Sequence, residues 1–503
     1  MTAVQRGQIA RLPKELARFL SLPGPQSLLI RGLPGTGKTS LAISLLQGFQ
    51  GSRFLITGRV GPSEVARSFP EIASREGGGL RIVDGSSLAD SLERASELVK
   101  HLREMVRHPD RDPSTQALWL PEAVQEVWSE LTPGGPSMVV IDPWDALIER
   151  YLGTSPEPRA QPPTREAVER VLLWLFAQAP AHLVLLAERQ EATHLDYLVN
   201  GVGVTSLGRT ETGRLERQLL LPKLRGVRIE NASYPFTLEN AEFQCIEPLR
   251  EGTAPVVGRP SPAPREDPAL LWPGNPSFVE AFGWLPQGAL TLYEVDPTVP
   301  EPIANLIPAT LAISVLERGG RVVLTPSPTT LPSALWAEFK PVLDEDTVAR
   351  GLRIISPAGT SGLPAALGRC VLGYDMDRGR GEGRALFERA IRFLQETPDG
   401  KDVLTLQVLR GIEPLLDQGD PPLTASSLVL QHVRGLWSKR VHGFLMADRG
   451  SPLTDKFRYL STLQLMLRER EGRIIVAGNV PRTHNFVLMM DPEAGPYRLL
   501  RVV

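Results

Sequence analysis

The 503-residue sequence predicts an α/β protein of two tandem domains, each a mostly parallel sheet with helices on both faces. In the second domain the anion-binding loop of the first is expected to be degenerate. Three observations predict this. From Gln26 onward, short apolar runs alternate with segments of helical period, the pattern of strands covered by helices. A glycine-rich loop follows the first of these runs and leads into a helical segment. The second half then repeats the order and spacing of the first.

The elements follow in order. Ser27–Arg31 (SLLIR) reads as a buried strand and Thr39–Gln47 as a helix, with further strands at Arg53–Thr57 (RFLIT) and Gly79–Val83 (GLRIV). Leu88–Val106 and Pro121–Leu131 are helical in period, and Ser137–Asp142 (SMVVID) is a strand ending in a carboxylate. An amphipathic helix over Thr164–Ala177 precedes His182–Ala187 (HLVLLA), and Leu215–Leu221 and Tyr234–Ile246 are late strands. Continuous apolar strands separated by helices imply a mostly parallel sheet buried on both sides. Gly153–Pro163 is loop-like, and Glu247–Pro276, with eight prolines, reads as a linker. The expected division is therefore residues 1–247, a linker over 248–276, and a second domain over 277–503.

The repeat is read segment by segment. Gly288–Glu294 (GALTLYE) stands where Gln26–Gly32 stood, Ile303–Leu316 replaces the helix from Thr39, and Arg321–Leu324 (RVVL) replaces RFLIT. Lys401–Leu416 aligns with Ser137–Tyr151, Val441–Arg449 (VHGFLMADR) with His182–Arg189, and Arg473–Val480 with Leu215–Leu224.

Composition excludes other classes. Lys+Arg 55 against Asp+Glu 57 leaves a net charge of −2, so the whole surface is not a binder of nucleic acid or anionic membrane. A hydrophobic content of 42% excludes global disorder, and no apolar run approaches the ~18 residues of a spanning helix. The first residues lack a signal-peptide pattern, and two cysteines, Cys245 and Cys370, cannot build a disulfide framework. A cytoplasmic, soluble protein with no membrane partner is expected. Lysines are few, eight beside 47 arginines, so a lysine in a motif carries more weight than usual. Trp119, Trp128, Trp174 and Phe444 sit in apolar patterns and are expected in cores.

The chemistry sits in Gly32-Leu-Pro-Gly35-Thr36-Gly37-Lys38-Thr39, which satisfies G-x-x-x-x-G-K-[ST] between a strand and a helix. Glycines let the backbone curl so that its N–H groups point inward at an anion, and the helix N-terminus adds a positive dipole. ATP is the expected ligand, cradled by Gly32, Pro34, Gly35, Thr36, Gly37, Lys38, Thr39 and Ser40. Lys38 would reach the β- and γ-phosphates, and the Thr39 hydroxyl would ligate Mg²⁺. Asp142, at the carboxyl end of SMVVID, is the expected second holder of the metal. Asp145 reads as a helix cap or a surface acid.

These residues resemble the RecA/KaiC branch of P-loop ATPases over nearly the whole chain. Its entry motif is similar to LPKELARFLSLPGPQSLLIRGLPGTGKTSLA, with a counterpart in NPSFVEAFGWLPQGALTLYEVD. Its late hairpin is similar to LLLPKLRGVRIENASYPFTLENAEFQ. The resemblance implies two RecA-like domains. It also implies that Lys223 and Arg225 act across a subunit interface on a neighbour's γ-phosphate, hence a homo-oligomer. Within the branch, the tandem layout and the ITGRV segment are similar to archaeal KaiC-like proteins and to the D-type gas-vesicle regulators.

Two departures qualify this. Where the branch places a glutamate pair after the second strand, this chain has Thr57-Gly58-Arg59-Val60-Gly61, and a guanidinium cannot act as a base. Glu188, at the end of HLVLLAE, is the best substitute. In the second half the loop reads Glu294-Val-Asp-Pro-Thr-Val-Pro-Glu301, whose acids and prolines repel polyphosphate and remove donors, with Gln407 at the carboxylate position. Arg378–Arg384, with Arg389 and Arg392, is basic, but no aromatics interleave with it. It reads first as a solvated loop and second as a nucleic-acid contact. The functions left open are a slow ATPase acting through assembly, a nucleotide-sensing regulator with a protein partner, and, as the alternative, a DNA-binding recombination or repair ATPase. The missing glutamate pair favours the regulator.

Overall fold

The computed structural model describes residues 12–69, 80–85, 122–131, 135–153, 164–210, 212–249, 258–265, 267–327, 330–357, 362–374, 382–396, 403–410, 433–490 and 496–503. The helix expected over Leu88–Val106, the loop after Gly153, Trp119 and most of the Arg378–Arg384 stretch lie outside them. Two compact units result, residues 1–247 with 502–503, and residues 248–501. No helix among the described residues is long and apolar enough to cross a membrane.

The first unit holds nine strands: β1 (Ser27–Arg31), β2 (Ser52–Thr57), β3 (Leu80–Asp84), β4 (Ser137–Asp142), β5 (Ala181–Ala187), β6 (Gly201–Arg209), β7 (Leu215–Leu224), β8 (Ser233–Thr237) and β9 (Gln244–Cys245). They lie in the order β3-β2-β4-β5-β1-β6-β7-β8-β9. Pairing is parallel from β3 to β6 and antiparallel from β6 onward. Apolar alternation serves two cores. Leu29, Val139 and Ile141 face the layer of Val168–Phe176 and Trp144–Ile148, whereas Leu28, Ile30, Met138 and Val140 face Leu41–Leu46 and Phe19. Burial on both faces is why these strands read as unbroken apolar runs.

In the second unit a short ribbon, β10 (Leu270–Leu271) and β11 (Leu285–Pro286), precedes ten strands. These are β12 (Leu290–Val295), β13 (Arg321–Thr325), β14 (Leu352–Ser356), β15 (Val371–Gly373), β16 (Thr405–Leu409), β17 (His442–Asp448), β18 (Leu463–Arg470), β19 (Arg473–Val480), β20 (Asn485–Met489) and β21 (Arg498–Val502). Their order is β15-β14-β13-β16-β17-β12-β18-β19-β20-β21. Reading β12 for β1 and β17 for β5, the arrangement of the first sheet recurs strand for strand from β14 to β20. The two units are tandem copies of one α/β topology.

Three details depart from the sequence reading. The end of the proline-rich stretch is structured, since Leu271, Trp272 and Asn275 are buried in the second unit. Asn275 caps the helix Pro276–Phe282 by accepting from the Ser277 and Phe278 amides. Trp128 and Phe444 are core, but Trp174 is 36% exposed on the outer side of its helix.

The third concerns register. β1 faces β5 with Arg31 beside Ala187, and β12 faces β17 with Glu294 beside Ala447. Counting equally far onward reaches Lys38 and Glu301, each the first residue of the next helix. Likewise Ile141 faces Leu185 and Leu409 faces Leu445, so Arg410 stands at the position of Asp142. Gln407 is not the counterpart of Asp142, because it lies deeper in β16, fully buried beside Gly443. The cation and anion of the first unit thus exchange places in the second, where Arg410 and Glu301 meet at 3.4 Å.

Candidate functional site

Between β1 and the helix Lys38–Gly48 the chain makes a tight loop. Gly35 and Gly37 have φ of 78° and 97°, the left-handed region that glycine enters without penalty. Gly32 is required sterically, since a Cβ there would lie 2.3 Å from the Thr205 carbonyl oxygen on β6. A Cβ on Gly35 would meet nothing within 4 Å, so the mouth of the loop is open. Leu33, Pro34 and Gly35 form the exposed tip, Thr36 is buried, and Thr39 and Ser40 lie half-buried in the first helical turn.

Side chains brace this loop from within. Thr36 donates to the Leu33 carbonyl at 2.8 Å and shares a 2.7 Å hydroxyl contact with Thr205. Lys38 turns back over the loop, its Nζ donating to the carbonyls of Gly32 and Leu33 at 2.8 and 2.9 Å. Burial lowers the Lys38 pKa, while Glu188 and Asp142 act to raise it. The ammonium is held by carbonyl oxygens, which an incoming phosphate can replace with full charges. Arg217 on β7 donates to the Gly35 carbonyl at 2.7 Å. That arginine escaped the sequence reading, because its approach depends on how the β6–β7 hairpin pairs.

The Thr39 hydroxyl donates to Asp142 Oδ2 at 2.6 Å. Two residues far apart in sequence are therefore joined, because β4 lies beside β5, and β5 beside β1. Burial pushes the Asp142 carboxyl above the usual carboxylate range, against the pull of the Thr39 hydroxyl and Lys38. A half-buried carboxylate beside a hydroxyl, without a full ion pair, is a donor set that suits a divalent cation.

Glu188 is near this group but engaged, since its carboxylate pairs with Arg59 at 2.5 Å. Asp145 is neither a cap nor a surface acid. It is buried, meets Arg165 at 2.6 Å and Arg189 at 2.5 Å, and accepts from the Glu188 amide at 2.7 Å. Burial pushes its carboxyl up, but these donors outweigh that and hold its pKa below the ordinary value. Asp145 therefore fixes the backbone that carries Glu188. The spacing of the motif gave no sign of this role; the only signal was an acid one helical turn past a strand end.

Lys223 and Arg225 come together, but not at the loop. Lys223 donates to the carbonyls of Asp196 and Tyr197 at 2.7 and 3.2 Å, and Arg225 to that of Tyr197 at 3.2 Å. Lys223 pairs with Val202 near the start of β6, whereas Arg217, opposite Leu207, is the basic residue of β7 that reaches the loop.

A strand, a glycine-rich turn and a helix opened by Lys38, with a carboxylate on a neighbouring strand joined to Thr39, define a P-loop domain. Residues 16–222 match the family model described as the GvpD gas vesicle protein, P-loop domain. The chain is 32% identical over 251 residues to Protein GvpD2 of Halobacterium salinarum, a match covering 50% of this chain and 47% of that protein. It is 29% identical over 243 residues to Protein GvpD1 of the same organism, covering 48% and 42%. The chain thus spans about half the length of the curated relatives it matches. The resemblance to D-type gas-vesicle proteins is borne out for this part of the chain.

Proposed function

We propose that the chain is a regulatory P-loop protein of gas-vesicle formation that binds ATP with Mg²⁺ in its first unit and turns it over slowly or not at all. The observation that carries this reading is the contact between Thr39 and Asp142 beside a loop over which Lys38 folds back. Residues 1–247 form the nucleotide-binding domain in this reading. Gly32, Pro34, Gly35, Thr36, Gly37 and Ser40 shape the cradle, Lys38 neutralises the outer phosphates, and Thr39 and Asp142 hold the metal. A magnesium ion held by Thr39 and Asp142 would offset the negative charge of the phosphates.

The glutamate pair missing after the second strand favours slow turnover. The Glu188 carboxylate is engaged by the Arg59 guanidinium at 2.5 Å, so it is not free to orient an attacking water. The second domain holds no nucleotide in this reading, because Glu301 stands where Lys38 would be and repels polyphosphate. Calorimetry with Mg-ATP tests the proposal. One site per chain is expected, lost in Lys38→Ala, with turnover close to background. Two equivalent sites, or binding unchanged in Lys38→Ala, would overturn it.

Lys223 and Arg225 are proposed to serve a neighbouring copy, since within one chain they clasp carbonyls away from the loop. Light scattering should then show association with ATP that ADP does not support and that Lys223→Ala weakens. A protein of unchanged mass with either nucleotide would remove the trans role and leave the rest standing.

A further inference from the structure

The second unit contains a cavity, partly open to solvent, at the carboxyl ends of β13 and β16, beside the helix Glu301–Glu317. Its body is apolar, from Leu324, Leu335, Phe339, Val408 and Met446. Its polar groups are unevenly matched. Glu301 is answered by Arg410 at 3.4 Å and by the Thr330 hydroxyl at 3.0 Å, and Arg410 also donates to Asn305 at 2.7 Å. Glu338, on the helix Pro332–Phe339, lines the same cavity and has no hydrogen bond or ion pair among the described residues.

A second polar group points the same way. Thr325 is 3% exposed and lines the cavity, yet its Oγ1 has no hydrogen-bond partner among the described residues. A buried hydroxyl left unpaired is unfavourable, so such groups are uncommon unless water, an ion or a ligand completes them. The lining therefore offers one carboxyl group without a hydrogen-bond or ion-pair partner among the described residues, one unpaired hydroxyl and an apolar wall.

We propose that this cavity binds a small organic monocation, an alkyl- or arylamine. Its ammonium sits between Glu338, Glu301 and the Thr325 hydroxyl, and its apolar body lies against Leu335, Phe339 and Met446. An anion is disfavoured, because Arg410 is already shared by Glu301 and Asn305 while Glu338 would repel it. A neutral alcohol leaves the carboxylate without its partner.

The test titrates the full chain, without nucleotide, with n-hexylamine, 2-phenylethylamine, n-hexanol and hexanoate at neutral pH. Saturable binding of one amine per chain is expected, with the alcohol and the acid at least ~tenfold weaker, as the loss of one charge-assisted hydrogen bond implies. Glu338→Gln should weaken amine binding by a similar factor, and Leu335→Trp, which fills the cavity, should abolish it. Should either variant fail to fold, the comparison of amine with alcohol on the parent chain still decides. Hexanol or hexanoate binding as tightly as hexylamine, no amine binding below about 10 mM, or an unchanged affinity in folded Glu338→Gln would each overturn the proposal. None of these outcomes depends on the P-loop.

Discussion

At the residue scale, Asp142 carries an electrostatic cost that its proposed role in holding a metal would offset. Burial raises its pKa, so above its unfolded pKa the folded chain binds more protons than the unfolded chain, and stability falls as pH rises through the folded value. At neutral pH the carboxylate is thus a strained charge, relieved in part by the Thr39 hydroxyl. Asp142→Asn keeps the shape and an oxygen for Thr39 but removes the charge. The expected result is a melting temperature no lower than the parent's without nucleotide, together with ATP affinity that no longer responds to magnesium. The parent should gain ~tenfold or more from the metal. A variant that melts earlier, or that still tightens with magnesium, would show that Asp142 serves the fold instead.

At the scale of elements, the loop separates two kinds of glycine that look alike in the motif. Gly32 faces the β6 backbone, where a Cβ would lie 2.3 Å from the Thr205 carbonyl, while Gly35 faces open space and needs only its φ of 78°. Gly32→Ala should therefore destabilise the first unit by roughly 3 kcal/mol or more, through displaced backbone. Gly35→Ala should cost about 1–2 kcal/mol, the ordinary left-handed penalty. Denaturant unfolding of both variants checks this, and equal losses would contradict the steric assignment. Much of this element was legible, because β1 and β4 are unbroken apolar runs ended by a glycine turn and a carboxylate, and both strands fall where the pattern put them. Asp145 with Arg165 and Arg189, and Arg217 with Gly35, were not legible. Such pairs depend on which strands lie side by side, and local composition does not encode that. The same limit displaced the counterpart of Asp142, since register in the second sheet follows from pairing with β17 and not from spacing within β16.

At the scale of the whole molecule, two units share a topology, and their differences lie at equivalent positions. The paired histidines His182 and His442 make the point. His182 Nδ1 accepts from the Gln26 amide at 3.1 Å, so that nitrogen carries no proton. His442 Nδ1 lies 2.8 Å from the Pro286 carbonyl, which can only accept, so here the proton sits on Nδ1 and Nε2 accepts from the Thr291 hydroxyl at 3.1 Å. Both rings are kept neutral by burial, and for His442, with no side-chain exposure, burial drives the pKa down to about 4. The sign follows directly. Between the ordinary value near 6.5 and 4, the unfolded chain takes up a proton that the folded chain refuses, so stability is lost as pH falls through that window. About 3 kcal/mol is at stake from this one ring. Hydrogen exchange of the His442–Asp448 strand amides at pH 7, 5.5 and 4.5, after correction for intrinsic rates, should show protection falling with pH in the parent. In His442→Asn, which has no titrating group, the fall should be much shallower. Parallel pH profiles in the two proteins would mean that the ring is protonated inside the fold, and the neutral tautomer assigned from Pro286 and Thr291 would have to be abandoned.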